Sequence, residues 1–425
     1  MAAPRALFVA EAVSLAHVAR PAVLARALQS AGWEVDFAYS GNFSICTKDA
    51  SWDIRHIESI SPEIFLKRLS AGVPLYTRNE LKDYIATDLR VLKESQPDVV
   101  IGDFRLSLGV AARLEKIPYL AICNAHWSPW RTSRRLIVPD IPMVRWLGVG
   151  IASMLFRGAW PIATRLHAQA LNGLRKQYGL PSLSGVEAMY TDGDYVLYAD
   201  TPDLVPCTGL PANHYYLGPI VWSPHIELPK WWDTLPDRPL AYVTLGSTGQ
   251  VDLLPRVLHA CEAEGMIAMA ATAGRSTLPM STAGHGVAPY LPGDRAAARA
   301  AFTICNGGSA SAYQTLALGR PVLGICSNMD QFLTMSHITR ARAGIIARAS
   351  QQHVESLRKS INMLNNEIHF FSQNARTIQA SFARYNASTR IVEVAHSVKN
   401  RRAPFLTPST SSPNTDLKTD DRDST

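Results

Sequence analysis

Phe302-Thr-Ile-Cys-Asn-Gly-Gly-Ser-Ala-Ser-Ala-Tyr-Gln-Thr-Leu-Ala-Leu-Gly-Arg-Pro-Val-Leu-Gly-Ile-Cys-Ser-Asn-Met-Asp-Gln331 is the stretch on which the reading of the chain turns. Phe302 to Cys305 is short, apolar and β-forming. Asn306-Gly307-Gly308-Ser309 interrupts it, Ala310 to Leu318 suits a helix, and Gly319 stands where a C-cap glycine would. Pro321 to Ile325 reads as a second buried strand, and Ser327 to Gln331 as a polar loop. In such a unit the glycines let backbone N–H groups approach an anion, and the helix N-terminus adds about half a positive charge. Ser309 and Ser311 supply hydroxyls at the same point. Asp330 and Gln331 offer an acceptor and an amide to a polyhydroxylated ligand. The same glycines would equally serve an ordinary βα turn that needs only tight packing.

Outward from this unit the alternation of strand and helix repeats. Residues 6–10 predict a first strand, Ala19 to Ala31 a helix ended by Gly32, and Glu34 to Tyr39 a second strand. That opening suits a doubly wound sheet with a ligand loop after its first strand. No Gly-x-Gly-x-x-Gly follows that strand, which disfavours a dinucleotide site; His17 occupies the loop instead. Further strands are predicted at 97–103, ending on Asp103, at 119–123 and at 195–198, with helices at 78–94 and 106–114. A second series begins at Leu240 to Leu245. Its turn, Gly246-Ser247-Thr248-Gly249, can also present backbone N–H groups to phosphate. A helix over 253–264 and strands over 267–272 and 286–291 follow. Helices are predicted at 334–343, 353–365, 370–386 and 388–398. The chain divides into units at 1–222 and 240–387, a Pro- and Trp-rich linker at 223–239, a last helix at 388–400, and a Pro/Ser/Thr/Asp-rich tail at 401–425 expected to be disordered.

Residues 131–180 predict two helices, around 143–156 and 163–178. Arg131, Arg134, Arg135, Arg145 and Arg157 alternate there with Trp127, Trp130, Trp146 and Trp160. Such a segment can line a cleft, lie on a membrane surface, or be a core helix with solvated arginines.

The 425 residues allow two domains, and an apolar fraction of 47 % suits substantial cores. The net charge of +7 fits an anionic substrate or surface. No dense basic run with interleaved aromatics is present, so nucleic acid is not an expected partner. Six scattered cysteines without a Cys-x-x-Cys pair suggest buried thiols, and a reducing cytoplasm is the simplest compartment. No stretch reads as a secretory signal or membrane span.

The 240–331 region resembles the nucleotide-sugar signature of GT-B glycosyltransferases of the UDP-glycosyltransferase superfamily, bacterial family 1 type. Tyr290-Leu291-Pro292 is similar to its aromatic-x-Pro start, where the aromatic stacks on the nucleotide base. Gly308 and Ser311 match its pyrophosphate-holding glycine and serine, and Asp330-Gln331 its sugar-reading pair. Asn306 stands where the family has a phosphate-binding His, and Gln314 where it has a ribose-binding Glu. Asn can donate a hydrogen bond but carries no charge.

The resemblance implies a GT-B architecture, with two doubly wound Rossmann-like domains facing across a cleft. It makes 1–222 the acceptor-binding domain and 240–387 the nucleotide-sugar-binding domain, with the last helix returning to the first. The implied reaction is inverting transfer from a UDP- or TDP-sugar to a hydroxyl of a small lipophilic acceptor. No cofactor and no metal are expected beyond the sugar nucleotide. His17, in Ala16-His17-Val18-Ala19-Arg20-Pro21, is the matching base, although the family's proline here lies one residue later. Asp103 is the matching carboxylate. Ser247, Asn306, Gly307, Gly308, Ser309, Ser311, Gln314, Tyr290, Asp330 and Gln331 are the expected sugar-nucleotide residues. His126, Trp127, Trp130 and Trp146 are the expected acceptor residues. His126 and Glu11 remain alternative bases. Two competing readings are a non-catalytic GT-B-like helper protein, favoured by Asn306, and a nucleotide-sugar epimerase. Peripheral membrane contact is allowed and not required.

Overall fold

A computed structural model describes residues 3–275, 281–282 and 284–400; the tail at 401–425 lies outside them. The first half runs β1 (Arg5–Ala10), α1 (Leu15–Ser30), β2 (Glu34–Tyr39), β3 (Asp53–His56), α2 (Pro62–Ala71), α3 (Arg78–Ser95), β4 (Val99–Asp103), α4 (Leu108–Glu115), β5 (Tyr119–Cys123), α5 (Pro142–Gln177), α6 (Val186–Tyr190), β6 (Tyr195–Tyr198) and β7 (His214–Tyr216). The second runs β8 (Leu240–Thr244), α7 (Leu254–Ala263), β9 (Ile267–Ala271), β10 (Ser281–Thr282), β11 (His285–Ala288), α8 (Gly293–Arg299), β12 (Phe302–Cys305), α9 (Ser309–Leu316), β13 (Val322–Cys326), α10 (Met329–Arg340), β14 (Gly344–Arg348), α11 (Val354–Asn366), α12 (Ile368–Ala383) and α13 (Ala387–Lys399).

The strands form two seven-stranded sheets, ordered β3-β2-β1-β4-β5-β6-β7 and β10-β11-β9-β8-β12-β13-β14. All neighbours are parallel except the antiparallel β10–β11 pair. Burial of β4 and β5 on both faces explains the apolar runs Val99–Ile101 and Tyr119–Cys123. In each sheet the strand order reverses once, between β1 and β4 and between β8 and β12. Such a reversal opens a crevice at the carboxyl ends of the strands. The loops after those four strands therefore carry the candidate site.

Three sequence expectations shift. His17 is not in a loop: α1 begins at Leu15, and His17 sits in its first turn. Gln331 likewise lies in the first turn of α10, where Asn328 and Gln331 form a capping box. The region at 142–177 is helical on both sides of a break at Gly148 (φ 72°), so its two helices meet there rather than between residues 156 and 163, and the second runs through Pro161. A positive φ at that position carries no Cβ penalty because the residue is glycine. Residues 217–239 contain no helix or strand, and within them Trp231 and Trp232 pack on the second half, the Trp231 indole N–H reaching the Val287 carbonyl at 3.2 Å. The final helix, α13, buries Ile391, Val394 and Val398 in the core that contains α1. At about 1.5–3 kcal/mol per fully buried aliphatic side chain, this docking clamps the chain end to the first sheet.

Candidate active site

Asp103 ends β4 at the first reversal, fully buried. Its Oδ1 lies 2.8 Å from Nδ1 of His17. Arg20, one turn further along α1, donates Nε to Oδ2 and Nη2 to Oδ1, both at 2.8 Å. Burial opposes the charge on Arg20, and the Asp103 carboxylate overrides it, so the guanidinium is held more firmly protonated than usual. Asp103 can only accept, so His17 carries its proton on Nδ1 and keeps a lone pair on Nε2. Phe104 adopts a left-handed backbone (φ 61°), and its ring stacks on His17 with centroids 4.6 Å apart and planes 13° from parallel. A β4 residue thus fixes the histidine's proton, and its neighbour fixes the plane of the ring.

Beside His17 the cleft is apolar. Phe65, Leu69, Leu75, Phe104, Met189 and Tyr190 line a pouch there. Of the expected acceptor residues, Trp127 reaches the cleft. Its indole N–H donates to Asp330 Oδ1 at 2.8 Å, and its ring meets Tyr190 edge-on. His126 is buried behind the cleft, with Nε2 2.9 Å from the same Asp330 oxygen. Trp130 packs edgewise against His214 instead, and Trp146 is 84 % exposed on α5; neither lines the cleft. Glu11 also lies outside the cleft lining, locked in a fully buried pair with Arg105 at 2.8 Å.

The turns after β8 and β12 supply neutral groups, and Asp330, after β13, adds a carboxylate. Ser247, Tyr290, Asn306, Gly308, Ser309, Ser311, Gln314, Asp330 and Gln331 all line the cleft. Asn306 Oδ1 accepts the Gly308 N–H at 3.1 Å, and its Nδ2 donates to Thr248 Oγ1 at 3.0 Å. Asn306 therefore ties the two small-residue turns together and occupies one of the N–H groups that the bare sequence offered to a phosphate. Gly307 is required twice over: its φ is +80°, and a Cβ would fall 2.5 Å from Cys326 Sγ. Ser247 Oγ accepts the Leu15 N–H at 3.0 Å across the cleft, which leaves its own proton to donate. Gln314 donates to the Trp222 carbonyl at 2.7 Å, and its Oε1 occupies the space over Gly293. Gln331 is turned inward, its Oε1 accepting from the N–H groups of Ser327 and Asn328 at 2.8 and 3.2 Å. Burial alone would raise the Asp330 carboxyl, but hydrogen bonds from His126 and Trp127 and the charge of Arg20 hold it well below the usual carboxylate range. Its Oδ1 takes both hydrogen bonds and leaves Oδ2 to the cleft.

Sequence reasoning missed the residues that join the two sides. Asn124 Oδ1 accepts from Arg20 Nη1 at 2.7 Å and from Ser309 Oγ at 3.3 Å. Asn124 Nδ2 in turn donates to Asp200 at 3.1 Å, and Asp200 also accepts the Tyr313 hydroxyl of α9. A signal existed for two of them. Arg20 is a charge three residues after His17, on a turn of α1 whose other residues, Val18, Ala19, Pro21 and Ala22, are apolar. Asp200 follows a strand just as Asp103 ends one.

No family model matches the chain. A solved spinosyn rhamnosyltransferase in complex with thymidine diphosphate superposes with a TM-score of 0.63 at 17 % identity, over 92 % of this chain and 100 % of that one. The fold is therefore that of the GT-B glycosyltransferases. A PGL/p-HBAD biosynthesis glycosyltransferase of Mycobacterium tuberculosis is 45 % identical over 380 residues, 89 % of this chain and 88 % of that protein. A PGL/p-HBAD biosynthesis rhamnosyltransferase of Mycobacterium bovis is 46 % identical over 349 residues, 82 % and 77 % of the two chains. The chain belongs to this family of glycosyltransferases.

Proposed function

We propose that the protein transfers a sugar, with inversion, from a UDP- or TDP-sugar to a hydroxyl of a lipophilic acceptor. The observation that carries this reading is that His17, bound through Nδ1 to Asp103, lines the same cleft as an apolar pouch and the serine- and glycine-rich turns of the second sheet. An acceptor seated against Phe65, Leu75 and Tyr190 would present its hydroxyl to His17. Nε2 removes the hydroxyl proton as the oxygen attacks the anomeric carbon, and the bond from that carbon to the diphosphate breaks. Asp103 stabilises the imidazolium that forms. The departing diphosphate is met by the hydroxyls of Ser247 and Ser311 and by the N-terminus of α9. Tyr290 would face the nucleotide base, and Asp330 Oδ2 the sugar hydroxyls. We assign no metal or further cofactor to this scheme.

The relatives' names make intermediates of PGL/p-HBAD biosynthesis the acceptors to try first, and one of them makes a rhamnosyl donor the first to try. The test is a thermal-shift screen with UDP and TDP, followed by NMR of the product formed with the matching sugar nucleotide. Stabilisation by one nucleotide and an anomeric configuration opposite to the substrate's are expected. Retention of configuration would contradict the single-displacement scheme.

A further inference from the structure

Seven of the thirteen large hydrophobic residues exposed among the described residues lie on α5: Trp146, Leu147, Ile151, Met154, Leu155, Ile162 and Leu166. Beyond the Gly148 break, those from Ile151 onward recur every three, four or seven residues, which aligns them on one side of the helix. Among the described residues nothing covers that side: a Cβ placed on Gly158, which falls on the same face, would meet no atom within 4 Å. Exposed patches of this kind mark interaction sites. The charge pattern says which kind. Residues 141–186 contain no Asp or Glu, whereas Arg145, Arg157 and Arg165 stand exposed along the helix, and Arg134 and Arg135 precede it. Among the described residues none of these five arginines pairs with a carboxylate.

We infer that this face of α5 docks on the surface of an anionic lipid bilayer. Apolar side chains would enter the headgroup–acyl boundary, with the arginines reaching lipid phosphates. A second copy of the chain is a poor occupant, because a two-fold contact would set arginines against arginines with no acid to pair them. No helix among the described residues is long and apolar enough to cross a membrane, so the contact is peripheral. The face also adjoins the pouch. Ile141, which caps α5, lies 3.4 Å from the Cβ position of Gly72, in the α2–α3 connection between Leu69 and Leu75 of the cleft wall. Ile64 and Val73, both exposed, extend the apolar surface along that edge. A lipophilic acceptor held in the bilayer would thus enter beside His17 without crossing water.

Vesicle co-flotation of the full chain tests this without any sugar nucleotide, so its outcome is independent of the catalytic reading. Binding to phosphatidylcholine vesicles should rise at least about tenfold when about 30 mol % phosphatidylglycerol is included. The double variant Met154→Glu/Ile162→Glu should fall to background with an unchanged circular dichroism spectrum and melting midpoint, since both side chains are exposed. The triple variant Arg145→Ala/Arg157→Ala/Arg165→Ala should lose the dependence on anionic lipid. Absence of vesicle binding, binding that survives the glutamates, or a wild-type dimer that the glutamates convert to monomer would each overturn the inference.

Discussion

At the strand reversal of the first sheet the cleft meets His17, Arg20 and Asp103; at that of the second it meets Ser247, Asn306 and Ser309. The topology is the same, and the chemistry is opposite. The first side is built from ionised groups taken out of water and paired, with the Asp103 side chain fully buried and that of Arg20 7 % exposed. The second is built from hydroxyls, an amide and backbone N–H groups. Charge placed where a proton must move has to be held by other charge. Charge that arrives with a ligand is met more cheaply by neutral dipoles, which carry no large desolvation cost before it comes. The two sides should therefore respond differently to substitution.

The largest effect is expected on the ionic side. Asp103→Asn leaves Arg20 buried without its counter-charge, which costs about 3–5 kcal/mol of stability, and it removes the partner of the His17 imidazolium. Thermal melting and transfer rate should both drop. A variant that melts normally would mean that Arg20 has another partner. On the neutral side, Asn306→Asp preserves the shape and can still accept from Gly308, but it sets an anion beside the proposed diphosphate. Nucleotide affinity by calorimetry should weaken about 10- to 100-fold, and melting should fall less than in Asp103→Asn, because the buried carboxylate is unpaired but no opposite charge is stranded with it. Unchanged affinity would move the diphosphate away from this turn.

Acid should act on both halves of the molecule alike, through one histidine in each. His214, on β7, is pushed down to about 4 by burial, and His337, on α10, to about 4 by burial and by its neighbours His126 and Arg340, against 6.5 when unperturbed. Between those values the unfolded chain binds more protons than the folded one, so stability falls as pH drops from 6.5 towards 4. His337→Gln and His214→Gln should each flatten the fall in melting midpoint over that window. An unaltered slope would assign it to other groups. The smallest effect is expected at Ser311→Ala. Loss of one hydroxyl contact to the nucleotide should cost about 0.5–1.5 kcal/mol in binding, with no change in melting.

Much of the fold was legible because parallel strands buried on both faces are short apolar runs. Tyr119–Cys123, Tyr195–Tyr198 and Phe302–Cys305 coincide with their predicted bounds. The β3, β7, β10 and β14 strands escaped notice. Asp53–His56 and His214–Tyr216 are largely polar or half-buried, and Ser281–Thr282 is only two residues long. Gly344–Arg348 follows α10 without a breaker that isolates it. The cleft's turns were legible because glycine and serine clusters punctuate the sequence. The ionic side was read only in part. His17 and Asp103 stood out beside strand ends, but nothing local shows that Arg20 and Asn124 turn towards Asp103 and Ser309. Trp146 shows the reverse limit: an aromatic among arginines reads alike as cleft wall or outer surface until the helix is placed.

The most direct test of proton transfer by His17 across this cleft is to compare nucleotide binding and sugar transfer in His17→Ala. His17 is partly exposed and does not line the second sheet's turns, so TDP or UDP binding should stay within about threefold of the parent. Transfer should fall by about 10²–10⁴-fold, the usual contribution of a positioned general base. Transfer at the parental rate with nucleotide binding intact would contradict the account and place the base elsewhere in the cleft.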